Sequence, residues 1–301
     1  MKRGILRWLC LFLSSLSGMA AEKEGEMIRA AQRVLFLGDS ITWDGRHLVD
    51  LELWLGGQRD FINLGLPSET VSGLSEKRHA GGRFARPVLR ERLMRVLSRT
   101  GPDVIVACYG INCGIYRPFQ QGHFQKFREG MIELRNAAAR VGAELIVLTP
   151  WPYDAQVGPK RIPESYDDEV LARYRDWLLQ QREFGWQVLD THGALTQRLI
   201  EVRKHDAQAK FTRDGIHFND RGAWEVARIL IRELGGEDFE SEEKFLAQID
   251  ISAVEREAAR EAMRKKRDEW LAKTWHLRPG LPGGPERKKR QGGDEQTRGE
   301  S

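Results

Sequence analysis

The sequence predicts an α/β fold in which helices cover both faces of a five-stranded parallel sheet and a further helix follows near the C-terminus. Two observations support this prediction. Short, continuously apolar runs recur along the chain, and longer amphipathic stretches separate them. Continuous apolar strands separated by helices are typical of a parallel sheet that is buried on both sides. The length of 301 residues allows one large domain of this kind.

The apolar runs give the predicted strands in chain order: 33–38, 61–65, 103–110, 144–150 and 186–190. The amphipathic stretches give the predicted helices: 46–56, 88–99, 119–141, 165–184, 191–204 and 220–235. Gly38, Gly65, Gly110 and Pro150 stand at the ends of four strands. Ligands of such sheets bind where the carboxyl ends of the strands meet, so we expect the following loops to form one rim around a site.

The first residues differ in composition from this domain. Residues 1–21 carry three basic side chains, then a short apolar run and small residues, which is typical of a secretory signal peptide cleaved after Ala20 or Ala21. A membrane anchor is the alternative, but the run is shorter than the roughly 20 residues that a span requires. We therefore expect a secreted or periplasmic protein with no stable membrane anchor.

The C-terminal part also changes in character. We assign residues 30–238 to the α/β domain and residues 239–277 to a helical extension. Within the extension, Ser252 and Glu255 match a capping box that begins a charged helix. Its alanine and methionine stripe is expected to pack on the domain, with a partner helix as the alternative. Residues 278–301 are rich in Gly, Pro and charge, and we predict that this tail is disordered.

Charge and cysteine content exclude some classes of protein. The net charge of +4 falls to +1 once the three basic residues of the signal peptide are removed, and much of the remaining basicity lies in the tail. A nucleic-acid-binding protein needs a clustered basic stripe on folded structure, and the body of the sequence shows none. Two cysteines outside the signal peptide do not make a disulfide framework. Cys108 lies in an apolar strand and is expected to be a buried free thiol.

The stretch VLFLGDSITWDG, residues 34–45, ends the first strand with Gly-Asp-Ser. Ser40 is either part of a simple turn or a nucleophile held at the edge of the sheet. A nucleophilic serine needs a base, and the base needs a third group to orient it. Asp214 and His217 lie three residues apart with a glycine between them, so a turn can bring the carboxylate to Nδ1 while Nε2 faces outward. Asp-x-x-His alone is a pattern of low specificity.

Four short blocks together resemble the SGNH (GDSL) hydrolase family. They occur in the family's order within residues 33–235, as GDSIT (38–42), NLGLPSET (63–70), GIN (110–112) and DGIH (214–217). The resemblance implies a flavodoxin-like three-layer α/β/α fold, hydrolysis of ester bonds and no cofactor. It also implies that Ser40 is the nucleophile, that His217 is the general base and acid, and that Asp214 orients His217.

The resemblance further implies an oxyanion hole with three donors. They are the backbone N–H of Ser40, the side-chain amide of Asn112 and a backbone N–H of the second block. Counting from Asn63 places that last donor at Ser68, where the family normally has glycine, and Gly65 is the alternative. Each such donor stabilises the tetrahedral intermediate by about 3–4 kcal/mol.

Other chemistry finds less support in the sequence. Cys113 follows Asn112 where the family often has aspartate, and a cysteine nucleophile would be the alternative to Ser40. No second base and acid accompany it. None of the histidines has the spacing of a metal site such as His-x₃-His, so we expect neither a metal nor a cofactor.

Aromatic residues beside the blocks suggest the substrate. We predict Trp43, Tyr116 and Trp151 as substrate contacts, because aromatic faces suit sugar rings, and packing against the core is the alternative. These aromatic residues, the predicted export and the short loops between strands together favour a carbohydrate esterase. Such an enzyme would remove O-acetyl groups from a small-molecule or polysaccharide ester. The alternatives are a lipid or thioester acyl-hydrolase and a non-catalytic secreted glycan-binding protein. Nothing in the sequence indicates the oligomeric state.

Overall fold

The structure, a computed structural model, describes residues 24–275; the predicted signal peptide and the predicted tail lie outside these residues. A helical segment at 24–30 precedes a parallel five-stranded sheet with the strand order β2-β1-β3-β4-β5. The strands are β1 (Arg33–Gly38), β2 (Asp60–Asn63), β3 (Val104–Cys108), β4 (Glu144–Leu148) and β5 (Gln187–Leu189). The predicted strands and their parallel arrangement are confirmed.

Burial explains why these runs form strands. Every residue of β3 is buried, and β1 is buried after its first residue, so both strands lie in the middle of the sheet with helices on both sides. Gly38 and Cys108, the last residues of β1 and β3, are paired across the sheet. The loops that follow these two strands therefore begin at the same edge, which brings the segments after them together.

Nine further α-helices surround the sheet in the described part of the chain. They are α1 (Ser40–Asp44), α2 (Arg46–Trp54), α3 (Leu93–Thr100), α4 (Gln121–Arg140), α5 (Ala172–Gln180), α6 (Thr191–Arg203), α7 (Asp220–Glu233), α8 (Glu242–Gln248) and α9 (Ala253–Thr274). Helix α7 packs against α2 and α6, while α4 packs against α3 and β4. None of the helices within residues 24–275 has the length and apolarity that crossing a bilayer requires.

Two predicted helices are shorter than expected. The stretch 165–184 contains a wide turn, Tyr166–Leu171, before α5 begins. The Tyr166 hydroxyl donates to the Ile111 carbonyl (2.9 Å), and Asp167 accepts from the backbone N–H of Tyr153 (2.6 Å). These contacts tie the turn to distant loops, which periodicity cannot reveal. In the stretch 88–99, the helix begins only at Leu93, after one short turn.

The C-terminal helix α9 packs on the domain, as predicted. Its capping box is present: the Ser252 side chain accepts from the backbone N–H of Glu255 (3.2 Å), and the Glu255 carboxylate accepts from the backbone N–H of Ser252 (2.8 Å). Arg256 forms a bidentate pair with Asp50 of α2 (2.6 Å for both bonds). Helix α9 therefore contributes a buried ion pair to the domain, and its buried Met263 and Leu271 add apolar contacts.

Candidate active site

Ser40 lies at the junction of β1 and α1. Asp39 caps this short helix by accepting a hydrogen bond from the backbone N–H of Ile41 (3.0 Å), and Ser40 is the first helical residue. A Cβ atom at Gly38 would lie 2.0 Å from Oγ1 of Thr42, so the sharp turn from strand to helix requires glycine there. The strand end and the cap together hold Ser40 at the edge of the sheet.

A continuous chain of hydrogen bonds joins Ser40, His217 and Asp214. The Ser40 Oγ lies 2.8 Å from Nε2 of His217, and Nδ1 of His217 lies 2.8 Å from Oδ2 of Asp214. The other carboxylate oxygen of Asp214 accepts from the backbone N–H groups of His217 (2.8 Å) and Ile216 (3.1 Å). With both oxygens engaged, the carboxylate fixes the imidazole with Nδ1 as donor, so that Nε2 is free to accept the serine proton.

The surroundings of His217 raise its affinity for a proton. The hydrogen bond to Asp214 raises the pKa of His217 above its ordinary value, although burial opposes the rise. Burial acts to raise the pKa of Asp214, but the hydrogen bonds from His217 outweigh it and hold that pKa well below its usual range. Because its pKa is lowered, Asp214 stays ionised and stabilises the positive charge that His217 gains when it takes a proton. In the neighbouring Asp39, by contrast, burial raises the pKa to about 6.

The turn that carries Asp214 and His217 is closely packed. Arg213 donates its backbone N–H to the His217 carbonyl (2.8 Å), and Gly215 adopts a left-handed conformation with φ of 82°. A Cβ atom at Gly215 would lie 2.6 Å from the Cα of Gly158, in the loop that follows β4. Glycine is therefore required for both the conformation and the space, and the two loops are held together.

Asn112 faces the same cavity as Ser40. Its Oδ1 accepts hydrogen bonds from the Arg86 guanidinium (2.9 Å) and from the Tyr116 hydroxyl (2.7 Å). Two donors on the oxygen fix the orientation of the amide, which leaves Nδ2 as its donor side. The structure thus brings the predicted oxyanion donor to the nucleophile and adds two supporting side chains.

Ser68, the other predicted oxyanion residue, also lines this cavity. It has a left-handed φ of 68°, a conformation that favours glycine and that a serine adopts here. Its backbone N–H has no hydrogen-bond partner among the described residues. The alternative prediction, that Gly65 supplies this backbone donor, is wrong. The backbone N–H of Gly65 donates to Oδ1 of Asn63 (3.0 Å), and Gly65 does not line the cavity.

Two of the three predicted substrate contacts lie elsewhere. Trp43 packs under α9, with the Arg267 guanidinium 4.0 Å from its ring centroid. Trp151 is 2% exposed and meets the ring of Phe218 edge-on. Neither tryptophan lines the cavity beside Ser40, so the packing alternative holds for both, and only Tyr116 remains as a lining residue.

The cavity has a volume of about 660 Å³ and is also lined by residues that no sequence motif marks. Five of them are charged and come from the loops after β2 and β4 and from the His217 turn: Glu76, Arg78, Arg86, Arg161 and Arg213. Their sequence neighbourhoods contain no motif. The one signal in the sequence is that arginines recur in loops that follow strands.

Neither a metal centre nor a cysteine nucleophile finds support. Within residues 24–275, no group of three His, Cys, Asp or Glu side chains is arranged to hold a metal ion. Cys108 and Cys113 are both buried free thiols, as expected for Cys108. Burial raises the pKa of Cys113 to about 11, so this thiol stays protonated and is a poor nucleophile.

Comparisons with solved structures show the same fold in several enzymes. An acetylxylan esterase from Geobacillus stearothermophilus is 20% identical, with a TM-score of 0.51 over 70% of this chain and 97% of that chain. LAE5, an α/β hydrolase enzyme from the metagenome of Lake Arreo, is 18% identical, with a TM-score of 0.50 over 68% of this chain and 95% of that chain.

A third similar structure is longer than this chain. BT4096, a gut microbial diltiazem-metabolizing enzyme, is 16% identical, with a TM-score of 0.50 over 68% of this chain; the match spans 47% of that enzyme, about half its length. No curated protein sequence matches this chain.

A family model gives the assignment that these distant structures alone do not. The model of the GDSL-like Lipase/Acylhydrolase family matches residues 36–224, which is more than half of the chain. The matched segment begins in β1, just before Ser40, and ends beyond His217, so it includes all four sequence blocks. The chain therefore belongs to the GDSL-like lipase/acylhydrolase family and is a serine ester hydrolase.

Proposed function

We propose that this protein is an exported esterase that removes O-acetyl groups from carbohydrate, with Ser40, His217 and Asp214 as its catalytic triad. The observation that carries the proposal is the chain of two 2.8 Å hydrogen bonds from Ser40 through His217 to Asp214. This arrangement supplies a nucleophile, a base and an orienting carboxylate in the order that acyl transfer requires.

The reaction follows from this geometry in two halves. The Ser40 Oγ attacks the ester carbonyl while Nε2 of His217 takes the hydroxyl proton. The carbonyl oxygen becomes an oxyanion, which accepts from Nδ2 of Asn112 and from the backbone N–H groups of Ser40 and Ser68. When the intermediate collapses, the bond to the alcohol oxygen breaks, and His217 gives its proton to that oxygen. The acetyl group is then bound to Ser40.

Water completes the second half. His217 takes a proton from the water as its oxygen attacks the acetyl carbonyl, and the same donors stabilise the second oxyanion. Collapse breaks the bond to Ser40 Oγ, which recovers its proton from His217, and acetate leaves. The positive charge on His217 in both halves is stabilised by Asp214, which is held ionised.

The lining of the cavity supports a small acyl group on a polar alcohol. Most of the side chains around Ser40 are charged or polar, and the cavity of about 660 Å³ lies within the range of sites that bind small molecules. A long acyl chain would need an apolar channel to replace its contact with water. The likeness in fold to an acetylxylan esterase also supports carbohydrate, and the sequence of residues 1–21 supports export.

Acetate release tests the proposal. The protein without residues 1–21 is incubated with acetylated sugars and with p-nitrophenyl esters of increasing acyl length, next to the Ser40→Ala variant. We expect acetate release from sugars that is lost in Ser40→Ala, and a fall in rate as the acyl chain lengthens. Activity confined to long chains would favour the lipid acyl-hydrolase. Absence of turnover by a folded protein would favour the glycan-binding protein.

A further inference from the structure

Three arginines beside Ser40 have no acidic partner. Arg78, Arg161 and Arg213 all line the cavity that contains Ser40 and His217. Their side chains are exposed, and none of these side chains forms a hydrogen bond or an ion pair with another residue in the range 24–275. The charge of Arg213 reaches the catalytic histidine, since it acts to lower the pKa of His217.

The carboxylates of the cavity do not neutralise these charges. Glu76 forms a bidentate pair with the Arg86 guanidinium (2.7 and 2.8 Å). Asp214 is engaged by His217 and by two backbone N–H groups. Both acidic side chains that line the cavity are therefore used, and three positive charges remain in the lining of the cavity that contains Ser40.

The three arginines come from three separate loops, each with an anchored backbone. Arg78 lies two residues from Glu76, whose pair with Arg86 closes the loop after β2. Arg161 precedes Ile162, which is buried in the core, in the loop after β4. Arg213 lies in the His217 turn and bonds to the His217 carbonyl through its backbone. Folding thus brings three guanidinium groups to one cavity without using them internally.

Guanidinium groups recognise particular chemistry. Their planar donors match the oxygens of carboxylates and sulfates, and a cavity lined by one sign of charge raises the local concentration of the opposite charge. We infer that the esters this protein hydrolyses lie on an anionic carbohydrate, whose carboxylate or sulfate groups are bound by Arg78, Arg161 and Arg213. This inference rests on the proposed function and specifies its substrate class.

Matched substrates that differ in charge test the inference. The probes are acetylated oligogalacturonate, which carries carboxylates, acetylated carrageenan oligosaccharide, which carries sulfates, and neutral acetylated xylo-oligosaccharide. We expect kcat/KM to be higher for an anionic probe than for the neutral one, and the better anionic probe identifies the group. The ratio of kcat/KM for the better anionic probe to kcat/KM for the neutral probe should fall about tenfold in Arg161→Gln or Arg213→Gln. The same ratio should also fall with rising salt.

Lys160→Gln is the matched control. Lys160 is an exposed cation next to Arg161 in sequence, but it does not line the cavity, so its loss should leave the ratio unchanged. A ratio near one in the wild type, or a ratio that neither Arg161→Gln nor Arg213→Gln alters, would overturn the inference. In both cases Ser40-dependent release of acetate would still support the proposed function.

A binding measurement tests the anionic site independently of the proposed esterase activity. Deacetylated oligogalacturonate, carrageenan oligosaccharide and xylo-oligosaccharide are titrated into the protein by calorimetry, which requires no turnover. Tighter binding of an anionic oligosaccharide, weakened about tenfold in Arg161→Gln, supports the anionic site even if no acetate release is found. Equal or undetectable binding of all three, together with equal kcat/KM values, contradicts it.

Discussion

Replacing Glu69 by glutamine should destabilise the fold strongly. Glu69 and Arg92 both have fully buried side chains, with 0% exposure. Arg92 donates to the two Glu69 oxygens (2.6 and 2.7 Å), and the Tyr109 hydroxyl donates to one of them (2.6 Å). Glutamine keeps the volume and one acceptor oxygen but removes the negative charge. Arg92 remains charged, so it becomes a buried cation without a counterion.

The magnitude follows from burial. Removing one partner of a buried ion pair lowers the free energy of unfolding by about 3–5 kcal/mol. In a domain of this size, each kcal/mol changes Tm by roughly 2–4 °C, so Glu69→Gln should lower Tm by roughly 6–20 °C. Glu69 follows Ser68, and its carbonyl lies 3.5 Å from Nδ2 of Asn112. Esterase activity should therefore also fall at temperatures below the transition, because Ser68 and Asn112, the proposed oxyanion donors, lose their support.

Thermal unfolding followed by circular dichroism measures this effect, with urea titration as a second assay. Glu129→Gln is the control, because Glu129 pairs with Lys126 on the exposed surface and its loss should not change Tm measurably. The double variant Glu69→Gln with Arg92→Met removes the unpaired charge and should recover part of the loss. A Tm for Glu69→Gln within about 1 °C of the wild type would show that the charge of Glu69 does not stabilise the fold.

Three further changes test the site and the C-terminal helix. Asp214→Asn should lower kcat/KM by about 10³–10⁴-fold. It should also move the acidic limb of the pH profile to lower pH, because His217 is active when neutral and its raised pKa would return toward the ordinary value; an unmoved limb would contradict this. Asn112→Ala should lower kcat by about 10²–10³-fold with little change in KM, and an unchanged kcat would remove Asn112 from the oxyanion hole. Asp50→Asn should lower the free energy of unfolding by about 1.5–3 kcal/mol, because Arg256 of α9 loses its bidentate partner but keeps its ion pair with Glu242; equal urea midpoints would show that the pair with Asp50 does not stabilise the domain.

The sequence predicts the sheet and the grouping of Ser40, His217 and Asp214 because both are specified locally. Each strand contains a short apolar run, and the central strands are buried almost throughout. One residue, Asp39, separates Ser40 from the end of β1, and Asp214 and His217 share a single turn. Short sequence blocks therefore determine where these side chains lie. The glycines that permit these turns are part of the same blocks, which is why the blocks are recognisable.

Features that depend on distant contacts could not be predicted in this way. Trp43 is near Ser40 in sequence, yet Arg267, far along the chain, stacks on its ring. The position of Arg78 depends on a loop that the Arg86–Glu76 pair closes, and the turn at Tyr166 depends on a bond to Ile111. Neither periodicity nor local motifs contain these contacts, so the lining of the cavity becomes visible only in the folded structure.

Covalent labelling shows directly whether Ser40 is a nucleophile activated by His217. A fluorophosphonate probe reacts with activated serines, and peptide mapping identifies the labelled residue. We expect the wild type to be labelled at Ser40, and Ser40→Ala and His217→Ala to be folded but not labelled. A folded wild type that does not react, or that reacts only at another serine, would show that Ser40 is not the activated nucleophile.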